Sequence, residues 1–137
     1  MPPDPEVFSA HRFHVELEGI SRASFARCSG LSARRSVIVY REGGSEEPRK
    51  LRGPETPANI LLEGGVTRDH SLFEWYTRGD RRDGAVLILG PGGEEVLRWT
   101  FRGAWPCRWE GPRLDADGDE VALEALEITH EGLQWPR

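Results

Sequence analysis

The residues able to do chemistry are scattered rather than grouped. The four histidines, His11, His14, His70 and His130, lack the i, i+4 spacing that lets two imidazoles on one helix face hold zinc. On a strand, His11 and His14 point to opposite faces. Cys28 and Cys107 stand far apart, outside any CxxC, and read as ordinary reduced thiols. The run DADGDE at 115–120 begins like a calcium loop. An EF-hand loop started at Asp115 needs glycine at its sixth position and a bidentate glutamate at its twelfth, where this chain has Glu120 and Leu126; a solvated acidic turn is expected instead. Gly90-Pro91-Gly92-Gly93 follows an apolar run, but no GxGxxG pattern or Walker lysine accompanies it, and Glu94 and Glu95 would repel a phosphate. Strand–GPGG–strand is a hairpin signature. No serine sits in a GxSxG elbow, and no carboxylate pair is set apart from the many acidic residues. The pattern points to no catalytic residue, no metal site and no cofactor.

Aromatic and arginine residues form the one local concentration. Trp99, Trp105 and Trp109 lie beside Arg98, Arg102 and Arg108. Such a mixture can stack on bases, carry a protein interface or pack a core with its arginines in water. The chain has 18 basic and 23 acidic residues, a net charge of -5, which repels nucleic acid and anionic lipid. That leaves core and interface, and both can hold. The longest apolar run is Ala85–Leu89, far short of the roughly 18–20 residues of a membrane span. The start, MPPDPEVFSAHRF, has prolines and acids where a secretion signal needs a basic head and an apolar run. Synthesis and retention in the cytoplasm are expected, until the cell is lysed.

The elements that would position these residues are mostly strands. With 137 residues the chain has the size of one domain, and residues 1–9 read as a loose N-terminal arm. Phe13, Val15 and Leu17 alternate with polar neighbours, predicting a half-buried strand over His11–Glu18. A second extended segment passes Ala23, Phe25 and Ala26 and stops at Ser29-Gly30; a third is the β-branched run Ser36–Arg41. Residues 42–57 carry three glycines, three prolines and seven charges with no apolar period, an unusual loop for a compact domain. They predict a long hairpin arm leading to a strand at Asn59–Glu63. One short helix, about residues 69–78, is predicted: Thr67 or Asp69 can cap it, Leu72, Phe73, Trp75 and Tyr76 share a broad face, and Gly79 stops it. A strand pair flanks GPGG, followed by a short aromatic segment, Ala104–Glu110. Glu120–Glu131 is rich in Ala, Leu and Glu, so propensity favours helix. Its apolar phase slips as a strand, with Val121 and Leu123 on one face and Leu126 and Ile128 on the other, unless a bulge near Glu124-Ala125 repairs it.

Taken in order, FHVELEGI (13–20), FARCSGL (25–31), VIVYREGG (37–44), RKL (49–51), NILLEGGVTRDHSLFEWY (59–76), EVLRWTFRGAWPCRWEGPRLDA (95–116) and EVALEALEITHEGL (120–133) resemble the phage tail tube family. That family supplies the inner tubes of contractile phage tails and extracellular contractile injection systems and is similar to the Hcp tube protein of type VI secretion. The resemblance covers about residues 8–135. It implies a mainly β fold, a small antiparallel sandwich or barrel of two sheets with one helix outside, and it makes the last segment a strand against its propensity. It further implies homohexameric rings stacked into a hollow tube, with partners in a contractile sheath protein, baseplate, spike and tube-initiator proteins, and cargo effector or DNA in the lumen.

The resemblance also assigns roles to residues. The arm, through Tyr40, Arg41, Glu42, Glu46, Glu47, Arg49, Lys50 and Arg52, is expected to dock on an adjacent ring, and Leu72, Trp75 and Tyr76 are expected to pack the helix. This chain departs from the family in three places: the arm sequence GGSEEPRKLRGPETPAN, the pair Glu63-Gly64 where relatives often have a basic pair, and the short connection TRGDRRDG. The same motifs fit a tube-initiator ring joining tube to spike. A monomeric β-sandwich binding module is the rival of a different class.

Overall fold

The computed structural model describes residues 12–44, 46–65, 70–118 and 122–134. The N-terminal arm at 1–9, the cap candidates Thr67 and Asp69, and Val121 lie outside the described residues. The element order is β1 (Phe13–Leu17), β2 (Ile20–Ala23), β3 (Arg27–Ser29), β4 (Ala33–Tyr40), β5 (Arg49–Pro57), β6 (Ile60–Gly65), α1 (Ser71–Arg78), β7 (Arg82–Leu89), β8 (Glu95–Glu110), β9 (Glu124–Thr129) and β10 (Gly132–Gln134). All the strand pairings are antiparallel. The two expected sheets are two halves of one, in the order β2-β1-β7-β8-β9-β6-β3, with β10 also on β8.

The join is β8. Ala104–Glu110, expected as a separate aromatic segment, continues the strand that starts at Glu95, because its backbone pairs with β9 where the earlier part pairs with β7. Between the two lies a bulge: Gly84 pairs with Phe101 and Arg82 with Ala104, so β8 has one residue more than β7. Gly103, at φ 61°, takes the left-handed conformation inside it, which costs a side-chain-bearing residue roughly 1–2 kcal/mol. Such a bulge bends the strand and raises its twist. It also resets the alternation, so that Phe101 and Ala104 are both buried.

The sheet curls so that its two edges approach at one corner. β2 and β3 stand at opposite ends of the strand order, but only Ser24, Phe25 and Ala26 separate them in the chain. Four residue steps of extended chain span at most about 14 Å, so the two edges lie side by side in a half-barrel. Phe25 is buried at that corner, and the Ala26 amide donates to the Glu63 carbonyl at 2.9 Å. Inside, Val15, Leu17, Val86 and Phe101 from one half face Ile60, Leu62, Leu126 and Ile128 from the other.

The last segment is a strand where propensity favours a helix. Helix propensities differ by only a few tenths of a kcal/mol per residue among such formers. β9 instead satisfies its backbone on both sides, against β6 and β8, with Leu126 and Ile128 fully buried. Leu123 precedes the strand and is exposed, and the bulge falls in β6, where Gly64 is the extra residue opposite Glu124-Ala125. The helix starts two residues later than expected. His70, in left-handed conformation at φ 59°, occupies the N-cap without a side-chain cap bond, and Gly79 closes the C-terminus with its amide on the Trp75 carbonyl.

Trp75 locks the helix to the sheet. It is fully buried, its Nε1 donates to the Asp80 carbonyl at 2.7 Å, and the Arg82 guanidinium lies 5.4 Å from its ring centre. Arg82 Nε in turn donates to Asp80 Oδ2 at 2.8 Å. Replacing Trp75 with Ala removes a ring from a closed site and should cost about 3–5 kcal/mol. The melting midpoint, followed by circular dichroism, should fall by roughly 10 °C; a fall of only a degree or two would show that the helix does not depend on this side chain.

Candidate assembly interface

The arm is longer and more ordered than its sequence suggests. β4 and β5 form a two-stranded ribbon over 33–57, and among the described residues they pair only with each other. Over 42–57, where a long hairpin arm is expected, the glycines, prolines and charges hide any apolar period. In the structure 49–57 is a strand, and the strand expected at Ser36–Arg41 is its partner rather than part of the core. Eight residues of β4 extend about 27 Å. Every one of them is exposed, and in β5 Gly53 alone is buried.

The ribbon has two unlike faces, because directly opposed residues share a side. Ile38 opposes Leu51 and Tyr40 opposes Arg49, which makes one face mainly apolar. Val37 opposes Arg52 and Val39 opposes Lys50, which makes the other mixed and cationic. Val37 is 63% exposed, Val39 61%, Tyr40 50%, Ile38 48% and Leu51 44%. A lone hairpin is marginal in water, and its ion pairs Arg35–Glu55 (3.3 Å) and Arg49–Glu42 (3.5 Å) are exposed, worth about 0–1 kcal/mol each. Exposed contiguous apolar surface of this kind marks an interaction site.

Of the residues expected to dock, Tyr40, Lys50 and Arg52 project from the ribbon, Arg41 and Glu42 follow β4, and Glu46 and Glu47 lie in the connection at its tip. Arg49 and Glu42 face each other within the arm. Reasoning from charge missed Val37, Ile38, Val39 and Leu51. The signal was present in the run SVIVY, but a strand covered by another chain and a strand buried in its own core carry the same β-branched pattern. On the helix, Leu72 and Trp75 are fully buried, whereas Tyr76 is 42% exposed: it falls outside the buried stripe, as does Phe73, whose ring meets Trp109 edge-on at 4.7 Å. Of the tryptophans, Trp99 is half-buried, Trp109 packs against the core and Trp105 stays on the surface.

The remaining candidates for chemistry stay apart. The Asp117 amide donates to Asp115 Oδ1 at 3.0 Å, a local turn. Among the described residues no three His, Cys, Asp or Glu side chains converge as a metal ion would require. Burial pushes the Cys28 thiol up to about 11, which keeps it protonated and unreactive at neutral pH. Cys107 is raised by desolvation and then by the Glu127 carboxylate.

The profile of the T4-like virus tail tube protein gp19 family matches residues 9–134. The chain belongs to this family. No curated protein sequence matches it. Among solved structures, a chain of the PVC sheath–tube complex of an extracellular contractile injection system, in its extended state, has a TM-score of 0.82 at 23% identity, over 93% of this chain and 90% of that one. A chain of the anti-feeding prophage baseplate has a TM-score of 0.79 at 27% identity, over 97% and 96%. Hcp1 from Flavobacterium johnsoniae is more distant, with a TM-score of 0.59 at 16% identity, over 90% and 93%.

In this tail tube chain the root of the arm is bolted to the curled sheet. The Ala58 amide donates to the Ser32 carbonyl at 3.0 Å, across the two ends of the ribbon. His130 Nε2 meets the Ala58 carbonyl at 2.9 Å, and Asn59 Nδ2 donates to Glu127 Oε2 at 2.9 Å. The Asn59 hydrogen bond, followed by that from Arg108, holds the Glu127 carboxyl below its usual value. A carboxyl lowered in the folded state stabilises it above the unfolded value, and the contribution is lost as pH falls through the folded one. Glu127→Gln should therefore lower the melting midpoint at pH 7, and the two melting curves should converge in acid. Parallel curves at both pH values would remove Glu127 from the root.

Gly53 sets the shape of the ribbon. β5 has one residue more than β4 between the pairs Arg35–Glu55 and Val37–Arg52. A Cβ at Gly53 would overlap Ser36 Oγ and sit 2.7 Å from the Ser36 carbonyl oxygen. Gly53→Val should misalign the arm while leaving the curled sheet intact: an unchanged main melting transition, with tube assembly reduced at least tenfold by pelleting. Full assembly of this variant would show that the arm's shape is not needed.

Proposed function

We propose that this chain is a structural subunit of an inner tube: six copies close into a ring, and rings stack around a lumen. The observation that carries the proposal is the tail tube family match over 9–134, in a chain that holds an apolar and basic ribbon away from its own core. The work is mechanical and needs no catalytic group. A sheath contracts around the tube, a baseplate and spike lie at its end, and the tube carries cargo effector or DNA. Assembly takes place in the cytoplasm, and the finished tube is part of a phage tail or an extracellular contractile particle. A ring also suits the physics of strand edges, because closure covers them without open-ended aggregation.

The test is direct. Purified full-length chain should form rings or tubes in negative stain and scatter light as a large species. A monodisperse 15.4 kDa monomer at high concentration would support the binding-module reading instead. Deleting residues 45–52 should leave a folded subunit whose rings no longer stack, and long tubes from that deletion would remove the docking role of the arm tip. The 27% identity to a chain of a baseplate structure favours a second reading, a tube-initiator ring. An initiator would form single rings or short stacks that seed a separate tube protein, whereas a shaft subunit propagates by itself.

A further inference from the structure

One apolar concavity on the body matches the arm in character. It is a groove of about 520 Å³, lined mainly by Phe13, Cys28, Leu31, Val86, Ile88 and Trp99. It is lined by β1, β7 and β8 from one half of the sheet and by β3 from the other. Opposed residues place Phe13 and Ile88 in one row of the inner face, with Val15, Val86 and Trp99 in the next. Val15 and Val86 are buried, while Phe13 and Trp99 are covered only in part. Arg27 and Glu63, 3.6 Å apart, stand at the rim and neutralise each other.

Resting on the tube reading above, we infer that this groove receives the apolar face of the arm, Ile38, Tyr40 and Leu51, from a second copy of the chain. Three observations select that occupant. The first is that the chain's own arm does not fill the groove: Val37, Ile38, Val39, Tyr40 and Leu51 are each at least 44% exposed, and the ribbon begins at Ala33, two residues after Leu31 on the groove wall. The second is charge. The arm carries six basic residues (Arg34, Arg35, Arg41, Arg49, Lys50, Arg52) against four acidic ones (Glu42, Glu46, Glu47, Glu55), so it is +2 and the rest of the chain is -7. Two copies at -5 each repel as wholes, and a basic ribbon leading the contact reverses the sign locally. With Ile38, Tyr40 and Leu51 seated, Lys50 and Arg52 remain on the opposite face, free to meet acidic surface. The third is geometry: donor and acceptor are different patches of one chain, so the contact is head-to-tail and passes from copy to copy.

Photo-crosslinking on full-length protein tests the assignment, since the protonated Cys28 thiol suits no thiol chemistry. Benzoylphenylalanine placed at Ile38, in an equal mixture of isotopically heavy and light subunits, is irradiated after tubes are seen by microscopy. The expected result is mixed-isotope crosslinks to the peptides carrying Phe13, Leu31 or Trp99. Ser29→Trp, which fills the groove from an exposed position, should keep the monomer's melting curve and reduce tube formation at least tenfold. Tubes whose crosslinks map elsewhere, or full assembly of Ser29→Trp, would overturn the groove assignment while leaving the tube reading intact. So would a probe at Cys28 that captures only residues 1–11 of its own chain. Failure of the unaltered protein to self-associate at all would remove both.

Discussion

Backbone pairing along β8 is the interaction on which the rest of the molecule depends. This strand meets β7 over its first part, β10 near its middle and β9 over its last part, so it is the one strand present in both halves of the sheet. The bulge at Gly103 lets it serve both by bending the strand and resetting which residues point inward. Phe101 and Ala104 reach the core only because of that reset. Curling then follows from covalent reach. The three-residue corner at Ser24–Ala26 cannot join β2 to β3 unless the edges approach, and burial of Phe25 there stabilises the approach.

A body built this way has a filled core and needs nothing from the arm. The arm, in contrast, cannot hold its shape by its own contacts. Its ion pairs are exposed, and its aliphatic residues lie against water on both faces. At the root, Ala58 ties the two ends of the ribbon together through Ser32, and Ala58 and Asn59 tie the second end to His130, just after β9, and to Glu127 within it. A tethered root and an exposed apolar ribbon suit an element whose partner is another molecule: the direction is set by the body, and the apolar free energy is realised on contact. The acidic body and basic arm sharpen this division, since like-charged bodies discourage random association and leave the arm as the favourable point of approach.

Much of the body was legible in the sequence. Phe13, Val15 and Leu17 alternate at period two because one face of their strand is buried and the other is not. Leu72 and Trp75 repeat at helical spacing for the same reason, and Gly90–Gly93 marks its turn through chain geometry alone. These signals are local: each depends on a few neighbouring residues and on which side water lies. The combination of segments, in order, also sufficed for the tail tube resemblance.

Tertiary structure decided the rest. In Glu124–Thr129 the side chains prefer a helix slightly, and pairing on both edges outweighs that preference because the partners, β6 and β8, are distant in sequence. The run at Ser36–Arg41 reads as a strand without saying what covers it, since β-branched residues are selected wherever a strand is covered. Only the spatial arrangement shows that its side chains stay exposed among the described residues. The bulges at Gly103 and Gly64, the corner at Phe25 and the groove beside Leu31 exist only between segments, so no window of sequence contains them. The sequence by itself determined local periodicity, turns, charge and family. Which strand joins the halves, and which apolar surface is left exposed, was decided by long-range pairing, whose free energy is absent until the partners meet.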